Sequence, residues 1–314
     1  MLSVLLIAAG AALLAVGGNL LVQNASRLSR AWGVSPLVVG LTVVAFGTSS
    51  PEIAASLTAA LQGSSGLAMG NVFGSNIFNV LGILGMTALL APLNSDARFL
   101  RREMPIMFGS ALLLVLLLLD GRVGFLEGAL FLALLAGYLL LLLRSDEAPE
   151  VEEEFAAEYG GRGAVAPQWR LALGAAAGIL LLVVGARALV AGAVEVARAL
   201  GTPELLIGLT VVALGTSLPE VAASVAAALK REPDIALGNI VGSNIFNVLA
   251  IVGVTAVVRP LEVPFDLVAR DAYVMLAASA LLIVLLLRHR LGRLAGGLML
   301  SGYVAYTLLL VATA

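Results

Sequence analysis

The stretch GLTVVAFGTSSPE, from Gly40 to Glu52, places a proline and a carboxylate inside a run of residues apolar enough to cross a lipid bilayer. A second stretch, GLTVVALGTSLPE, repeats it from Gly208 to Glu220. A carboxylate at mid-bilayer costs about 2.5–3.5 kcal/mol on insertion scales, and a proline within a helix removes a backbone hydrogen bond. Because both costs occur twice at matching positions, these two segments are predicted to carry the function of the chain.

The two stretches belong to a longer internal repeat with an offset of 168 residues. Gly40–Leu81 aligns without a gap to Gly208–Leu249, and 28 of the 42 positions are identical. Shared apolar composition cannot place GTS-PE and GSNIFNVL twice in register. The chain is therefore predicted to contain two copies of one unit, at residues 1–143 and 169–314.

Composition assigns the chain to a broad class. Of 314 residues, 61% are hydrophobic and 12% are charged, and the mean hydropathy is +1.06. Soluble domains are about half apolar and a quarter charged, so the chain is predicted to be an integral membrane protein with the lipid bilayer as its environment. The net charge of -2 predicts no nucleic-acid partner, and the absence of cysteine excludes disulfides and thiolate metal sites. No obligate protein partner is indicated.

Ten apolar segments have the length of a transmembrane helix. They are centred near residues 12, 48, 78, 110, 133, 182, 216, 246, 277 and 302. A unit with an odd number of crossings must insert its second copy upside down. The predicted fold is therefore an all-α integral membrane protein with ten transmembrane helices in two inverted five-helix repeats. Pro51 and Pro219 are expected to interrupt helices 2 and 7 near mid-membrane.

A polar linker at residues 144–168 separates the two units and contains seven acidic residues. It could be a calcium-sensing loop, but like charges repel one another, which favours a solvated connection. Connections after odd-numbered helices carry 13 basic residues, and those after even-numbered helices carry four. Because basic residues favour the cytoplasmic side, the linker is predicted to be cytoplasmic and both termini outside, in the plasma or inner membrane.

Of the 20 acidic residues, only Glu52 and Glu220 are predicted to lie deep within apolar spans. Arg187 is the one basic candidate nearby, and its counterpart in the first unit is Asn19, so no symmetric counter-charge is available. A bound, mobile cation would supply the missing positive charge. Alternatively, both glutamates are protonated and only join helices, but this explains neither the adjacent prolines nor the duplication.

Each motif offers several kinds of oxygen within about one helical turn. The proline frees the carbonyl four residues before it, and hydroxyl groups and a carboxylate flank that carbonyl. Hard cations such as Ca²⁺ and Na⁺ prefer such all-oxygen shells; a plain proline kink with packed hydroxyl groups is the alternative. The next helix of each unit adds polar residues spaced four apart, on one face. The candidate metal ligands are Glu52, Glu220, Thr48, Thr216, Ser49, Ser217, Ser75, Ser243, Asn79 and Asn247.

Asn71 and Asn239 begin the same polar faces, and either bind the ion or hold the helices together. Asn76 and Asn244 fall outside the spacing of four and are expected to point elsewhere.

The paired motifs GTSSPE…GNVFGSNIFNVL and GTSLPE…GNIVGSNIFNVL resemble the alpha-repeats of the cation/calcium exchanger superfamily, most of all its prokaryotic sodium/calcium exchanger branch. The resemblance covers essentially the whole chain and implies antiport of Ca²⁺ against Na⁺ without a prosthetic group. Glu52 and Glu220 match calcium-liganding carboxylates, and Thr48 and Thr216 match positions whose carbonyls complete the calcium shell. The matched sodium ligands are Ser49, Ser75, Ser217 and Ser243, and the matched central polar pair is Asn79 and Asn247.

Family members often carry an aspartate at one position of that central pair, whereas this sequence has amides at both. The site charge is then -2, which one Ca²⁺, two Na⁺ or two H⁺ would balance. An H⁺-coupled antiporter of Ca²⁺ or another divalent cation is therefore the alternative function, and a passive cation channel is a more remote one. An enzyme is not expected, because the sole histidine, His289, lies in a terminal connection and is predicted to be interfacial.

Overall fold

The computed structural model describes residues 2–145, 167–201 and 213–313. Seven helices in these ranges are long and apolar enough to cross a membrane, and a bent pair brings the number to eight. Ten spans were predicted. Most of the linker and the start of the predicted helix 7 lie outside the described residues. Another predicted span carries Arg101, Arg102 and Glu103 in its first two turns, which leaves a shorter apolar run.

The elements follow the same order in the two halves of the chain. The first half contains α1 (Leu2–Trp32), α2 (Pro36–Val39), the π-helical segment π1 (Gly40–Val44), α3 (Ala45–Thr48), α4 (Ser50–Leu61), α5 (Ser65–Ile77), π2 (Phe78–Leu84), α6 (Gly85–Leu90), β1 (Leu93–Asn94), α7 (Ala97–Leu117), β2 (Arg122–Val123) and α8 (Phe125–Ser145). The second half contains α9 (Gln168–Ala199), α10 (Ala213–Thr216), α11 (Leu218–Leu229), α12 (Pro233–Phe246), π3 (Asn247–Val252), α13 (Gly253–Val258), β3 (Leu261–Glu262), α14 (Phe265–Leu286), β4 (Arg290–Leu291) and α15 (Arg293–Thr313).

In each motif the helix is interrupted at the serine that follows the threonine, which is Ser49 in the first half and Ser217 in the second. α3 ends at Thr48 and α4 begins at Ser50, with a bend of 44° between the two helical segments. In the second half, α10 ends at Thr216 and α11 begins at Leu218. A proline lies in the first turn of α4 and of α11, where its missing N–H is tolerated. The interruptions predicted from the prolines are therefore present.

The two longest helices, α1 and α9, pack backbone to backbone through glycines. A Cβ atom on Gly10 would lie 2.6 Å from the carbonyl oxygen of Gly185, and one on Gly178 would lie 2.6 Å from the Leu21 nitrogen. Gly18 makes a similar approach to α11, since its Cβ would lie 2.8 Å from the Ala222 carbonyl oxygen. Larger residues at these positions would force the helices apart, so close packing accounts for the glycines.

Two short antiparallel sheets join the halves. β1 pairs with β4, with Leu93 opposite Leu291, and β2 pairs with β3, with Arg122 opposite Glu262. The helix α7 runs from β1 to β2, and its counterpart α14 runs from β3 to β4. Because β1 and β4 lie together, α7 and α14 run in opposite directions between the same two sheets.

Glycines also bring the interrupted helix of the first half onto α12 of the second half. A Cβ on Gly40 would lie 3.0 Å from the Ile235 carbonyl oxygen, and one on Gly242 would lie 2.7 Å from the Leu41 carbonyl oxygen. The π1 segment therefore packs directly on the α12 backbone. This contact carries α3 and the GTSSPE motif to the polar face of α12.

Candidate cation site

The two interrupted helices meet through hydrogen bonds that cross between the halves. Oγ of Ser217 donates to Oε1 of Glu52 at 3.0 Å, and Oγ of Ser49 donates to Oε1 of Glu220 at 3.0 Å. Each serine lies at the break in the opposite half, and no more than 1% of any of these four residues is exposed. The structure thus brings both glutamates and both serines together in one buried cluster.

The local backbone favours a negative charge at each glutamate. Glu52 lies in the first turn of α4, and Glu220 lies in the first turn of α11. Unpaired N–H groups and the helix dipole make the first turn of a helix favourable for an anion. The Oε2 atoms of both carboxylates are buried and have no hydrogen-bond partner among the described residues. Each carboxylate therefore retains one oxygen for a further ligand.

The NH₂ groups of the central amides, Asn79 and Asn247, donate hydrogen bonds to acceptors within the protein. Nδ2 of Asn79 donates to Oδ1 of Asn244 at 3.0 Å. Nδ2 of Asn247 donates to Oγ of Ser75 at 3.0 Å and to Oδ1 of Asn76 at 3.3 Å. Consequently Oδ1 of Asn79 and Oδ1 of Asn247, both buried, have no partner in the described part of the chain.

Most of the unsatisfied buried polar atoms belong to predicted ligands. Within residues 2–145, 167–201 and 213–313, five of eight such side-chain atoms are Glu52 Oε2, Glu220 Oε2, Asn79 Oδ1, Asn247 Oδ1 and Ser243 Oγ. All five are oxygens that can donate electron pairs to a cation. Leaving a buried polar atom unpaired costs about 1–3 kcal/mol, and coordination of a hard cation would remove that cost.

The remaining predicted ligands of α3 and α10 differ in their surroundings. Thr48 is fully buried, and its Oγ1 donates to Oδ1 of Asn239 at 3.1 Å. Thr216 ends α10 and is half-buried. Their side chains are therefore not equivalent, although both residues precede the serine at the break.

Asn71 and Asn239 tie neighbouring helices to the glutamate backbone. Nδ2 of Asn71 donates to Oγ of Ser56 at 2.8 Å and to the Glu52 carbonyl oxygen at 3.3 Å. Nδ2 of Asn239 makes the matching bonds, to Ser224 Oγ at 2.9 Å and to the Glu220 carbonyl oxygen at 3.4 Å. Both amides thus fix the first turn of the helix that presents the carboxylate.

One asparagine pair lies where the spacing did not predict it, and one serine pair joins the site without having been predicted. Asn76 and Asn244 were expected to point elsewhere, but their side chains accept hydrogen bonds from the central amides. The π2 and π3 segments begin at this level and widen the helix there, which spacing rules for a regular α-helix do not anticipate. Ser56 and Ser224 are identical at the repeat offset, and that identity was the available signal.

A third buried carboxylate, Glu103, lies outside this cluster. It is fully buried, forms an ion pair with Arg102 and accepts a hydrogen bond from Tyr138 Oη at 2.7 Å. Its counterpart in the second half, Asp271, pairs with Arg270 and accepts from Tyr306 Oη at 2.9 Å. Each of these carboxylates has an arginine as counter-charge. Arg187, the candidate counter-charge for the glutamates, is instead exposed.

Comparison with known proteins agrees with this architecture. The family model described as "Sodium/calcium exchanger protein" matches residues 2–144 and 170–312. The inner membrane protein YrbG of Escherichia coli is 36% identical over 99% of this chain and 97% of its own length. The sodium/calcium exchanger MaX1 of Methanosarcina acetivorans is 34% identical over 98% of this chain and 97% of its own length. The solved structure of the sodium-calcium exchanger NCX_Mj soaked with 10 mM Na⁺ and zero Ca²⁺ superposes with a TM-score of 0.84 at 29% identity, covering 97% of both chains.

Proposed function

Because this chain belongs to the sodium/calcium exchanger protein family, a family of membrane transporters, we propose that it exchanges Ca²⁺ for Na⁺ across the cell membrane. The transported ions bind in turn at one site between Glu52 and Glu220. The observation that carries this proposal is the meeting of two buried carboxylates, which, like three further oxygens of the predicted ligands, have an oxygen without a hydrogen-bond partner among the described residues. MaX1 and NCX_Mj, both named as sodium/calcium exchangers, support the choice of ions.

The proposed site uses oxygen ligands of several kinds. Calcium takes six to eight oxygen ligands. Five oxygens of the proposed ligands have no hydrogen-bond partner in the described part of the chain: the two Oε2 atoms, the two central amide oxygens and Oγ of Ser243. Hydroxyl and carbonyl oxygens at the two helix breaks, where Ser49 and Ser217 lie, would add further ligands for Na⁺. The proposed ligands are Glu52, Glu220, Thr48, Thr216, Ser49, Ser217, Ser75, Ser243, Asn79 and Asn247, with Asn71 and Asn239 behind them.

Charge explains why this site would exchange ions rather than leak them. Without an ion, the site could switch its access from one side of the membrane to the other only by burying two ionised carboxylates in a low-dielectric environment. That burial is costly. A site holding one Ca²⁺ or two Na⁺ is neutral in sum and can reorient. Alternating access of a loaded site between the two halves is the proposed mechanism.

The inverted architecture is part of the proposal. Repeats at 1–143 and 169–314 with five helices each, joined by a cytoplasmic linker at 144–168, would place both termini outside. The opposite directions of α7 and α14 between the β1–β4 and β2–β3 sheets support inversion, since parallel repeats would align these helices. The distribution of basic residues supports the orientation.

The test is uptake of calcium-45 by proteoliposomes containing the purified protein, under a Na⁺ gradient or a pH gradient alone. Uptake driven by the Na⁺ gradient is expected, and with amides at the central pair it is expected to respond little to membrane potential. Uptake that follows only the pH gradient would assign H⁺ coupling. Calcium movement that persists with no opposing gradient would instead indicate a channel.

A further inference from the structure

We propose that two buried methionines, Met107 and Met275, determine which end of each central amide faces the cation. They act through Asn244 and Asn76, which are not themselves proposed ligands, so the methionines are positioning residues. The inference rests on the proposed cation site. It concerns a feature that composition and motif spacing do not reveal, because the two ends of an amide have nearly the same shape.

The first chain of contacts begins at Met275 on α14. Nδ2 of Asn76 lies 3.5 Å from Sδ of Met275. A thioether sulfur carries no proton and can only accept, so the NH₂ end of Asn76 must face it. Oδ1 of Asn76 then faces Asn247 and accepts from its Nδ2 at 3.3 Å. This leaves Oδ1 of Asn247 directed away from the chain of contacts and without a hydrogen-bond partner among the residues that the structure describes.

The second chain is related to the first by the repeat offset and begins at Met107 on α7. Nδ2 of Asn244 lies 3.8 Å from Sδ of Met107 and donates to the Asn76 carbonyl oxygen at 3.4 Å. Oδ1 of Asn244 accepts from Nδ2 of Asn79 at 3.0 Å. Within residues 2–145, 167–201 and 213–313, Oδ1 of Asn79 is again the end that has no hydrogen-bond partner.

Burial makes this polarity decisive. Asn76 is 2% exposed, Asn244 is 3% exposed, and both methionines are 1% exposed. Water therefore cannot readily reach this region to form the hydrogen bonds that a reversed amide would lose. A reversed central amide would present its NH₂ group to the cation, exchanging an attractive oxygen for a repulsive donor. Together with Oγ of Ser75, which accepts from Asn247, and the Asn76 carbonyl oxygen, which accepts from Asn244, the methionines thus set the sign of the dipole that the ion meets.

The test measures Ca²⁺ binding to the purified full-length protein in detergent by calorimetry, for Met107→Leu, Met275→Leu and the double variant. Leucine keeps an apolar side chain of similar volume, which cores tolerate well, but it cannot accept a hydrogen bond. Partners behind the ligands of metal sites typically change affinity by about 10- to 100-fold. We expect the dissociation constant to rise about threefold in each single variant and about tenfold in the double variant.

Met104→Leu is the matched control, since Met104 is fully buried on the same helix, α7, and its side chain is outside both chains of contacts. Its dissociation constant is expected to stay within twofold of the parent. Melting temperatures of all variants identify any that are misfolded. A dissociation constant of the double variant that equals that of Met104→Leu would overturn the inference.

A double-mutant cycle separates positioning from packing. In an Asn76→Ala background Met275 has no amide to orient, so Met275→Leu is expected to cause no further loss of affinity. An equal loss in both backgrounds would mean that Met275 acts through packing alone. The proposed exchange fails separately if the parent protein binds Ca²⁺ but does not transport it. If the parent binds no Ca²⁺, both proposals fail.

Discussion

Ser75 and Ser243 occupy the same position in the two halves, yet their hydroxyl groups are used differently. Oγ of Ser75 donates to the Asn71 carbonyl oxygen at 2.7 Å and accepts from Asn247. Oγ of Ser243 is fully buried and has no hydrogen-bond partner among the described residues. The Ser75 hydroxyl therefore holds two neighbouring residues through hydrogen bonds, whereas the Ser243 hydroxyl makes none within the described residues, so sequence identity between repeats does not make their contacts identical.

Burial also differs between matched residues of the site. Thr48 and Asn239 are fully buried, whereas their counterparts Thr216 and Asn71 are half-buried. Under the proposed alternating access, the symmetry between the halves must be broken whenever one side of the site is more open than the other. Differences between matched residues are what a single conformation of such a protein would produce.

The largest predicted effect concerns the two site glutamates, whose burial and hydrogen bonds are alike in the two halves. Glu52→Gln and Glu220→Gln are each expected to lower Na⁺-driven calcium-45 uptake by about 100-fold or more, corresponding to about 3 kcal/mol of lost ion binding. The two losses should be similar, because both carboxylates are 1% exposed and each accepts from a serine of the opposite half. Glu262→Gln, at an exposed position in β3, is the control. Substantial activity in either site variant would show that one carboxylate is dispensable.

An intermediate effect is predicted for Ser75 and Ser243, the serine pair whose hydrogen bonds differ between the halves. Ser243→Ala is expected to raise the Na⁺ concentration for half-maximal exchange about threefold to tenfold, with little change in melting temperature. Ser75→Ala should in addition lower the free energy of unfolding by about 1 kcal/mol, because it also removes the hydrogen bonds to Asn71 and Asn247. Exchange at varied Na⁺ and thermal melting in detergent measure the two properties. Identical behaviour of the two variants would mean that the observed asymmetry has no functional consequence.

The smallest effect is predicted for the tyrosines outside the site. Tyr138→Phe leaves one oxygen of the fully buried Glu103 without its donor, and should cost about 1.5–3 kcal/mol of stability. Tyr306→Phe should cost less, about 1 kcal/mol or below, because the Asp271 side chain is 21% exposed and water can replace the lost donor. Denaturation in detergent checks the order. Exchange per folded molecule is expected to be unchanged in both variants, and a selective loss of Na⁺ dependence would contradict this.

Several features were predictable because their physical causes are local or compositional. High hydropathy predicted the membrane class, and the 168-residue offset predicted two equivalent units. Pro51 and Pro219 cannot donate a backbone hydrogen bond, so the breaks near Ser49 and Ser217 followed from the chain itself. Charges near the start of α7 interrupt its apolar pattern, so this helix is not among the seven that are long and apolar enough to cross a membrane.

The sequence alone determined that two carboxylates would be buried in apolar segments, and it predicts a positive partner for them, since the cost of an unpaired charge in lipid does not depend on the details of packing. Only the tertiary structure decided which oxygens meet. The bonds from Ser217 to Glu52, from Asn247 to Asn76 and from Asn76 to Met275 join residues more than 160 positions apart. Their geometry depends on how two halves pack through glycines and π-helical segments, and an amide has no preferred end until its neighbours supply donors and acceptors.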